Sequence, residues 1–240
     1  EPKQQGDERM PIAGVYEEQL KYMPYAKSIA EVVELVVERA PANGMLVDLM
    51  SGTGHLLGEI GKRRQDLGLV GVDIDQRYVD FAREHHPGIT FEQGDVLTWQ
   101  PKFPVDVFTC TGSLHHVPYD EQEDAVRNMA TMIRPEGFGI ISDCYVDDYA
   151  DDMGRKLAAN RLGYEYLQET IRNGAPDEVV AELADILKND VTGVEFKTSF
   201  ARRFPVFKKF FRQVETFKMW PDYSVGFGDY VTVLGVGNEH

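Results

Sequence analysis

The chain has 240 residues, of which 42% are hydrophobic, and this is enough apolar material for one domain with a buried core. Its formal net charge of -15 repels phosphate backbones, so large nucleic acids are poor candidates for a substrate or partner. No stretch approaches the ~18–20 consecutive apolar residues of a membrane span, and the N-terminus EPKQQGDERM is too polar for a secretory signal, so we expect a cytoplasmic protein that does not bind membranes.

The N-terminal part has apolar residues at helical spacing from residue 17 to residue 40, interrupted at Pro24. This pattern predicts two helices, the second of which ends at the turn Pro41–Gly44. We assign residues of about 11–42 to an N-terminal helical segment.

Strands and helices are predicted to alternate over the next hundred residues. Short apolar runs predict five strands, at 45–49, 69–74, 89–92, 105–111 and 138–145. Predicted helices lie between them at 55–64, at 76–86 with Asp75 as the cap, and from a capping-box-like start at Asp120 and Glu123 to about Ile133. Such alternation indicates a parallel sheet with right-handed crossovers, which binds ligands beyond the carboxyl ends of its strands.

The chain after the fifth strand departs from this alternation. Residues 148–190 are predicted to form successive helices, which we interpret as an insertion that covers the ligand end of the sheet. Segments 214–220 and 228–237 are predicted to be two closing strands. We predict a single α/β domain, with a seven-stranded, mostly parallel sheet and helices on both faces, divided into a core at 43–147, a helical lid at 148–195 and C-terminal strands within 196–240.

An acidic residue lies at or just after the carboxyl end of each of the first three predicted strands. Asp48 precedes a glycine loop that opens a helix, where the backbone can approach a ligand closely. Asp73 ends the second strand, 21 residues after Gly52, where a carboxylate can accept both hydroxyls of a ribose. Asp95 lies after the third strand at the same edge of the sheet. A nucleotide-like ligand is therefore predicted. NAD is disfavoured, because the G-x-G-x-x-G fingerprint read from Gly52 has Leu57 in place of its third glycine.

These motifs resemble those of the class I S-adenosylmethionine-dependent methyltransferases. The resemblance covers about residues 45–145 and rests on VDLMSGTG (47–54), GVDID (71–75), GDV (94–96), VDVFTCTGSLHHV (105–117) and IRPEGFGIIS (133–142). It implies a Rossmann-like sheet, S-adenosylmethionine as cofactor and S-adenosylhomocysteine as product.

The resemblance also implies a set of cofactor contacts along the sheet edge: Asp48, Ser51, Gly52, Thr53, Gly54, Asp73, Ile74, Gly94, Asp95, Val96, Thr111 and Gly112. In that set, Asp48 reaches the ammonium of the methionine portion, Asp73 the ribose hydroxyls and Asp95 the adenine amino group. The remaining positions supply backbone groups, or an apolar surface for the adenine. One departure is Met50, which stands where the family commonly has glycine.

Methyl transfer is an in-line displacement that depends on orientation, and a base is needed only for an acceptor that is protonated at working pH. His115 and His116 follow the fourth strand and are candidates for that base, with His115 slightly preferred. Tyr16, and with it Tyr22 and Tyr25, is a candidate to close over the sulfonium cation. Tyr145 is a further candidate on the acceptor side.

No metal is predicted, because adjacent histidines are poor chelators even if Asp143 joins them. Cys110 and Cys144 lie in apolar runs and are expected to be buried thiols. A basic cluster, consisting of Arg202, Arg203, Lys208, Lys209 and Arg212, is expected to be either a solvated face or a site for an anionic acceptor.

The sequence thus predicts methyl transfer to an O, N or C atom of a small molecule. Two alternatives stay open: another use of the cofactor, such as aminopropyl transfer, and a nucleotide-binding module without turnover. Nucleic-acid bases are disfavoured as acceptors also because the loop at 111–114, TGSL, lacks an Asn/Asp-Pro-Pro-aromatic motif. Both a monomer and a homodimer are compatible with the sequence.

Overall fold

The computed structural model describes residues 18–193 and 195–237. Its seven strands are β1 (Met45–Leu49), β2 (Gly68–Asp73), β3 (Thr90–Gln93), β4 (Val105–Thr111), β5 (Ile133–Tyr145), β6 (Gln213–Trp220) and β7 (Gly228–Gly235). The α-helices whose bounds both lie within the described ranges are α1 (Ala26–Arg39), α2 (His55–Arg63), α3 (Gln76–His85), α4 (Gln122–Met132), α5 (Asp152–Arg172), α6 (Asp177–Thr192) and α7 (Phe200–Phe210). None of these helices is both long enough and apolar enough to cross a lipid bilayer.

The strands form one sheet in the order β3-β2-β1-β4-β5-β7-β6. β1 to β5 run parallel, whereas β7 is antiparallel to both β5 and β6. The predicted seven-stranded, mostly parallel sheet is therefore confirmed. The strand order reverses between β1 and β4, and ligands of open α/β sheets bind beyond such a point.

The core divides into two apolar clusters that lie on opposite faces of the sheet. Leu46 and Val107 belong to one cluster, whereas their chain neighbours Val47 and Phe108 belong to the other. Because successive side chains of a strand point to opposite faces, helices must cover both faces. The first cluster includes residues of α1, α2, α3 and α5, and the second includes residues of α4 and α7.

Two local predictions need correction. The fifth strand begins at Ile133 rather than at residue 138, and its pairing with β4 is irregular between these positions. The predicted cap at Asp120 is wrong, because α4 begins at Gln122 after Glu121, without a side-chain cap. The carbonyl of Pro118 accepts bonds from the N–H groups of both Glu121 and Gln122, so a turn takes the place of the cap. Asp75 does cap α3, accepting from the backbone N–H of Arg77 at 2.9 Å.

Helices α5 and α6 lie in the predicted insertion and pack against each other. The contact is close at Gly163, where a Cβ atom would lie 2.6 Å from Leu187 Cδ2. Helix α7 was not predicted. Two features of the sequence are typical of this helix, namely Ser199 as a cap and the helical spacing of Phe200, Phe204 and Phe207. In the structure the hydroxyl of Ser199 accepts from the N–H of Arg202.

Candidate functional site

A cavity of about 460 Å³ lies at the carboxyl edge of the sheet, under α5 and α6. All of the predicted cofactor contacts except Gly54 line it. Gly54 instead precedes α2 with a φ of 78°, and a Cβ atom there would lie 2.6 Å from the ring of Phe91. The sheet thus brings residues that are distant in the sequence to one cavity wall.

The glycine loop after β1 adopts left-handed backbone conformations. Gly52 has a φ of 52°, and a Cβ atom built on it would meet no atom within 4 Å, so its backbone faces open space in the cavity. Met50 has a φ of 57°, which is unfavourable for a residue with a side chain. This conformation gives a physical reason for glycine at the equivalent position of the resembling family.

Asp48 lies at the floor of the cavity and is 1% exposed. The hydroxyl of Thr109 donates to Asp48 Oδ1 over 2.6 Å. Burial raises the pKa of Asp48 to about 7, although the hydroxyl lowers it, and the nearby Asp73 carboxylate raises it further. A cation in the cavity would stabilise the ionised form of this carboxyl group.

Asp73 ends β2 with its carboxylate fixed by the backbone. Oδ2 accepts from the N–H of Gly52 at 2.8 Å, and Oδ1 accepts from the N–H of Asp75 at 2.9 Å. Burial raises its pKa, and these two hydrogen bonds oppose that effect. Next to it, Ile74 lines the cavity and is 49% exposed, which is unusual for a large apolar side chain.

The loop after β3 supplies a third carboxylate and closes one end of the cavity. Asp95 Oδ1 accepts from the N–H of Leu97 at 2.9 Å, whereas Val96 is buried. Gly94 lies tightly against Trp99, since a Cβ atom at residue 94 would be 2.5 Å from the indole ring. The three acidic residues of the sequence pattern therefore line one cavity.

His115 lies between two carboxylates. Its Nδ1 is 2.5 Å from Asp143 Oδ1, and its Nε2 is 3.4 Å from Glu195 Oε2. Burial alone would lower the pKa of His115, but these carboxylates raise it to about 9. The imidazole is therefore protonated at neutral pH, with both nitrogens directed at acceptors, and such a group donates hydrogen bonds rather than abstracting protons.

His116 has the opposite character. Its ring packs against that of His115 with 4.3 Å between the centroids, and it lines the cavity. Burial and the charge of His115 lower the pKa of His116 to about 4. The predicted pair thus consists of one charged and one neutral imidazole.

A polar network that the sequence did not predict extends from His115 into the insertion. Lys197 bonds Glu195 at 2.8 Å and also pairs with Asp190 of α6. The backbone N–H of Phe196 donates to the carbonyl of His115 at 2.7 Å, which links this loop to the strand side of the cavity. The only signal in the sequence is a group of charged residues just after an amphipathic helix, and such groups are usually solvated.

The candidate tyrosines have different positions. Tyr16 lies outside the described residues. Tyr25 lines the cavity, and its hydroxyl donates to the carbonyl of Ser142 over 3.4 Å. Tyr22 is half-buried and Tyr145 is buried, but neither lines the cavity.

The basic cluster lies on and next to α7. Arg202 bonds the Asp148 carboxylate at 2.9 Å, and Arg203 is buried and donates to the side chain of Gln122. None of its five members is among the described residues that line the cavity. The cluster therefore gives no reason to expect an anionic acceptor.

Two groups of possible metal ligands share His115. One adds Asp143 and Cys144, the other His116 and Glu195, and within each group the ligand atoms lie within 4.8 Å of one another. However, Asp143 and Glu195 already face the His115 ring, and the Lys197 ammonium lies 2.8 Å from Glu195. These groups satisfy one another without an ion.

The comparisons with known proteins concern mainly the core of the sheet. Residues 46–137 match a family model described as a methyltransferase domain. An uncharacterized methyltransferase of Oceanobacillus iheyensis is 26% identical over 161 residues, which are 62% of this chain and 72% of that protein. A carboxy-S-adenosyl-L-methionine synthase of Nitratiruptor sp. is 25% identical over 187 residues, which are 74% of each protein.

Structural similarity to solved proteins covers more of the chain than these sequence matches do. A chain in the complex between the Haloferax volcanii Trm112 methyltransferase activator and the putative methyltransferase superposes with a TM-score of 0.59. The alignment covers 94% of this chain and 93% of that chain at 14% identity. At this identity the likeness concerns the fold alone.

Proposed function

We propose that the chain is a class I S-adenosylmethionine-dependent methyltransferase, and that it transfers a methyl group from this cofactor to an O, N or C atom of a small molecule held under α5 and α6. The observation that carries the proposal is the convergence of Asp48, Asp73 and Asp95 on one cavity that reaches the lid helices. A carboxylate at the end of each strand can meet a different polar part of one extended ligand.

The cavity wall fits the cofactor in three respects. The open space at Gly52 admits a ligand against the backbone. Beside the Asp73 carboxylate, the exposed Ile74 provides an apolar surface of the kind on which an adenine ring packs. Thr53 also lines the cavity, and its buried hydroxyl bonds no described residue.

Each cofactor contact has a physical role in this proposal. Asp48 holds the ammonium of the methionine portion, Asp73 accepts from the ribose hydroxyls, and Asp95 accepts from the adenine amino group. Val96 donates its N–H to the adenine ring. When bound, S-adenosylmethionine supplies an activated methyl group on a sulfonium, so the main task of the protein is to hold the acceptor atom in line with it.

The two histidines act differently. His115 is an imidazolium fixed by Asp143 and Glu195, and it orients the loop and donates toward polar groups at the cavity wall. His116 is the neutral imidazole at the cavity and is the one able to accept a hydrogen bond from the acceptor. His116, rather than the slightly preferred His115 of the sequence analysis, is therefore our candidate for the base.

The acceptor end of the cavity has an apolar wall. It is formed by side chains of the lid helices and the N-terminal part, namely Leu20, Met23, Leu162, Leu183, Ile186 and Leu187. Polar side chains also line the cavity, among them His115, Glu195 and Lys197. We therefore propose an acceptor that has an apolar portion and a hydrogen-bonding group near the methylated atom.

A second candidate is a reaction that modifies the cofactor itself. The alignment with the carboxy-S-adenosyl-L-methionine synthase spans 74% of this chain, beyond the matched methyltransferase domain. In that case no separate methyl acceptor is needed, and the apolar lid holds a different second substrate.

Product analysis tests the proposal. The purified protein is incubated with S-adenosylmethionine and a set of small acceptors, and the nucleoside products are identified by mass spectrometry. We expect S-adenosylhomocysteine in amounts that depend on the acceptor. A cofactor of increased mass would support the second candidate instead, and methylthioadenosine would indicate aminopropyl transfer. The control is Asp73→Ala, which is expected to give little of any product.

A further inference from the structure

The short segment between α6 and α7 carries two of the charged side chains that line the cavity, Glu195 and Lys197. Glu195 Oε2 lies 3.4 Å from Nε2 of His115, and a carboxylate oxygen of Glu195 lies within 4.8 Å of a ring nitrogen of His116. The position of this segment therefore sets how far the carboxylate lies from both histidines of the loop after β4.

One buried side chain ties this segment to the loop after β4. Gln122, the first residue of α4, is 2% exposed. Its Nε2 donates to the carbonyl of Val117 at 2.7 Å and to the carbonyl of Phe196 at 2.9 Å. Val117 follows directly after His116, and Phe196 follows directly after Glu195. The amide of Gln122 thus bridges the two chain segments that carry the facing polar groups.

The Gln122 amide has one favourable orientation, and Arg203 of α7 fixes it. Nη2 of Arg203 donates to Oε1 of Gln122. A guanidinium can only donate hydrogen bonds and a carbonyl can only accept them, so the amide oxygen must face the guanidinium and the amide nitrogen must face the two carbonyls. Turning the amide by 180° would place two donors together at one end and acceptors together at the other.

Arg203 is a buried cation without a counter-charge. It is 5% exposed, it pairs with no carboxylate among the described residues, and its Nε bonds none of them. Burying a charge in this way is costly, and an apolar side chain of similar length would fill the space without that cost. A charged donor at this position is therefore better explained by the amide that it orients than by a contribution to stability.

We propose that Gln122 and Arg203 are positioning residues for the acceptor side of the cavity: Arg203 orients the Gln122 amide, and the amide holds Glu195 at its distance from His115 and His116. Neither Gln122 nor Arg203 lines the cavity, so both act through the segments that they join. This role in catalysis rests on the proposed methyl transfer, in which His116 faces the acceptor.

Substitutions at the two positions separate positioning from folding. Gln122→Met keeps the length of the side chain but removes its hydrogen bonds. Arg203→Met removes the donor together with the cost of a buried charge, so its melting temperature should stay close to that of the wild type. Arg203→Lys keeps a cationic donor. Lys209→Met is the matched control, because Lys209 pairs with Glu123 and joins the same two helices at the exposed surface.

The first measurement is methyl transfer to the acceptor that the product analysis identifies. The kcat of Gln122→Met should fall at least about tenfold, and that of Arg203→Met should fall in the same direction, because the acceptor contacts shift out of line. Calorimetry should give a cofactor affinity within about twofold of the wild type, since the cofactor contacts lie on other loops. Arg203→Lys should retain most of the activity, and Lys209→Met all of it.

The second measurement is an NMR titration of His115, whose pKa is about 9 in the wild type. The pKa should fall in Gln122→Met, because Glu195 is no longer held near Nε2 while Asp143 still faces Nδ1. It should not change in Lys209→Met. This measurement needs neither cofactor nor acceptor, so it decides the positioning role separately from the reaction. A wild type that transfers no methyl group would contradict the proposed function alone.

Circular dichroism checks the folding of each variant. A folded Gln122→Met with the wild-type pKa of His115 would overturn the proposal. So would a kcat and a cofactor affinity that fall together, because a general loss of structure would explain both. Should Gln122→Met not fold, the two variants at residue 203 decide, and the same His115 pKa in Arg203→Met as in the wild type would overturn the proposal.

Discussion

His115 and Asp143 form a buried pair, with 2.5 Å between Nδ1 of the imidazole and Oδ1 of the carboxylate. The residues are 28 positions apart, one after β4 and one within β5, and the pairing of these parallel strands brings them together. Glu195 faces the other ring nitrogen, so the His115 ring is clamped between the sheet and the loop after α6.

We predict that Asp143→Asn lowers the pKa of His115 from about 9 by at least about one unit. The amide keeps the shape of the side chain but removes the negative charge that favours the imidazolium, while burial continues to oppose it. The measurement is an NMR titration of the histidine side chains. Asp120→Asn, at an exposed position, is the control and should leave the His115 titration unchanged. An unaltered pKa in Asp143→Asn would mean that this carboxylate does not hold the proton.

The second prediction concerns the pH dependence of cofactor affinity. The pKa of Asp48 is raised to about 7, so the group is neutral below this pH and ionised above it. Only the ionised form attracts an ammonium, and S-adenosylmethionine should bind about tenfold more weakly near pH 6 than near pH 8.

Calorimetry at several pH values measures this effect, and Asp48→Asn provides the comparison. The variant should bind weakly at all pH values, with a much flatter profile, because it has no carboxyl group to ionise. The same pH profile in both proteins would assign the titration to another group.

The third prediction separates backbone strain from contact with the cofactor. Gly52 and Gly88 both have positive φ, and a Cβ atom on either would meet no atom within 4 Å, but only Gly52 lines the cavity. Alanine at either position should cost about 1 kcal/mol of stability in urea unfolding. Only Gly52→Ala should weaken S-adenosylmethionine binding, by more than about tenfold. Equal affinities in the two variants would place the ligand away from the loop.

The alternation of strands and helices could be predicted because each buried strand is a short apolar run bounded by turn residues. The acidic residues after the first three strands were informative for a related reason. The ends of parallel strands meet at one edge, so Asp48, Asp73 and Asp95 could be placed together before their distances were known. Asp75 was recognisable as a cap because capping is local.

The polar network around His115 could not be predicted in this way. Glu195 and Lys197 reach the cavity through the packing of α6, and nothing in their neighbourhood in the sequence specifies that position. The partners of the basic cluster could not be predicted for the same reason, since Arg202 and Arg203 bond residues more than fifty positions away. Tyr145 was expected near the acceptor, but it packs against Phe200 of the unpredicted α7.

The fourth prediction concerns how α5 is held against β7. Tyr166 of α5 donates to both carboxylate oxygens of Asp229, at 2.9 and 2.8 Å, and Asp229 is fully buried in β7. Tyr166→Phe leaves this carboxyl without its donor and should cost about 1–3 kcal/mol in the free energy of unfolding. Tyr164→Phe, on the same helix but 60% exposed, should change stability by less than about 0.5 kcal/mol. Similar losses in both variants would argue against an anchoring role for the Tyr166 hydroxyl.

The most direct test of the central claim is a calorimetric titration of S-adenosylmethionine and S-adenosylhomocysteine into the wild type, Asp73→Ala and the exposed control Asp80→Ala. We expect the wild type and the control to bind both ligands. Asp73→Ala should lose about 1.5–3 kcal/mol, or more than about tenfold in affinity, because two ribose hydroxyls lose their acceptor. Wild type that binds neither ligand, or Asp73→Ala that binds them as tightly as the wild type, would contradict it.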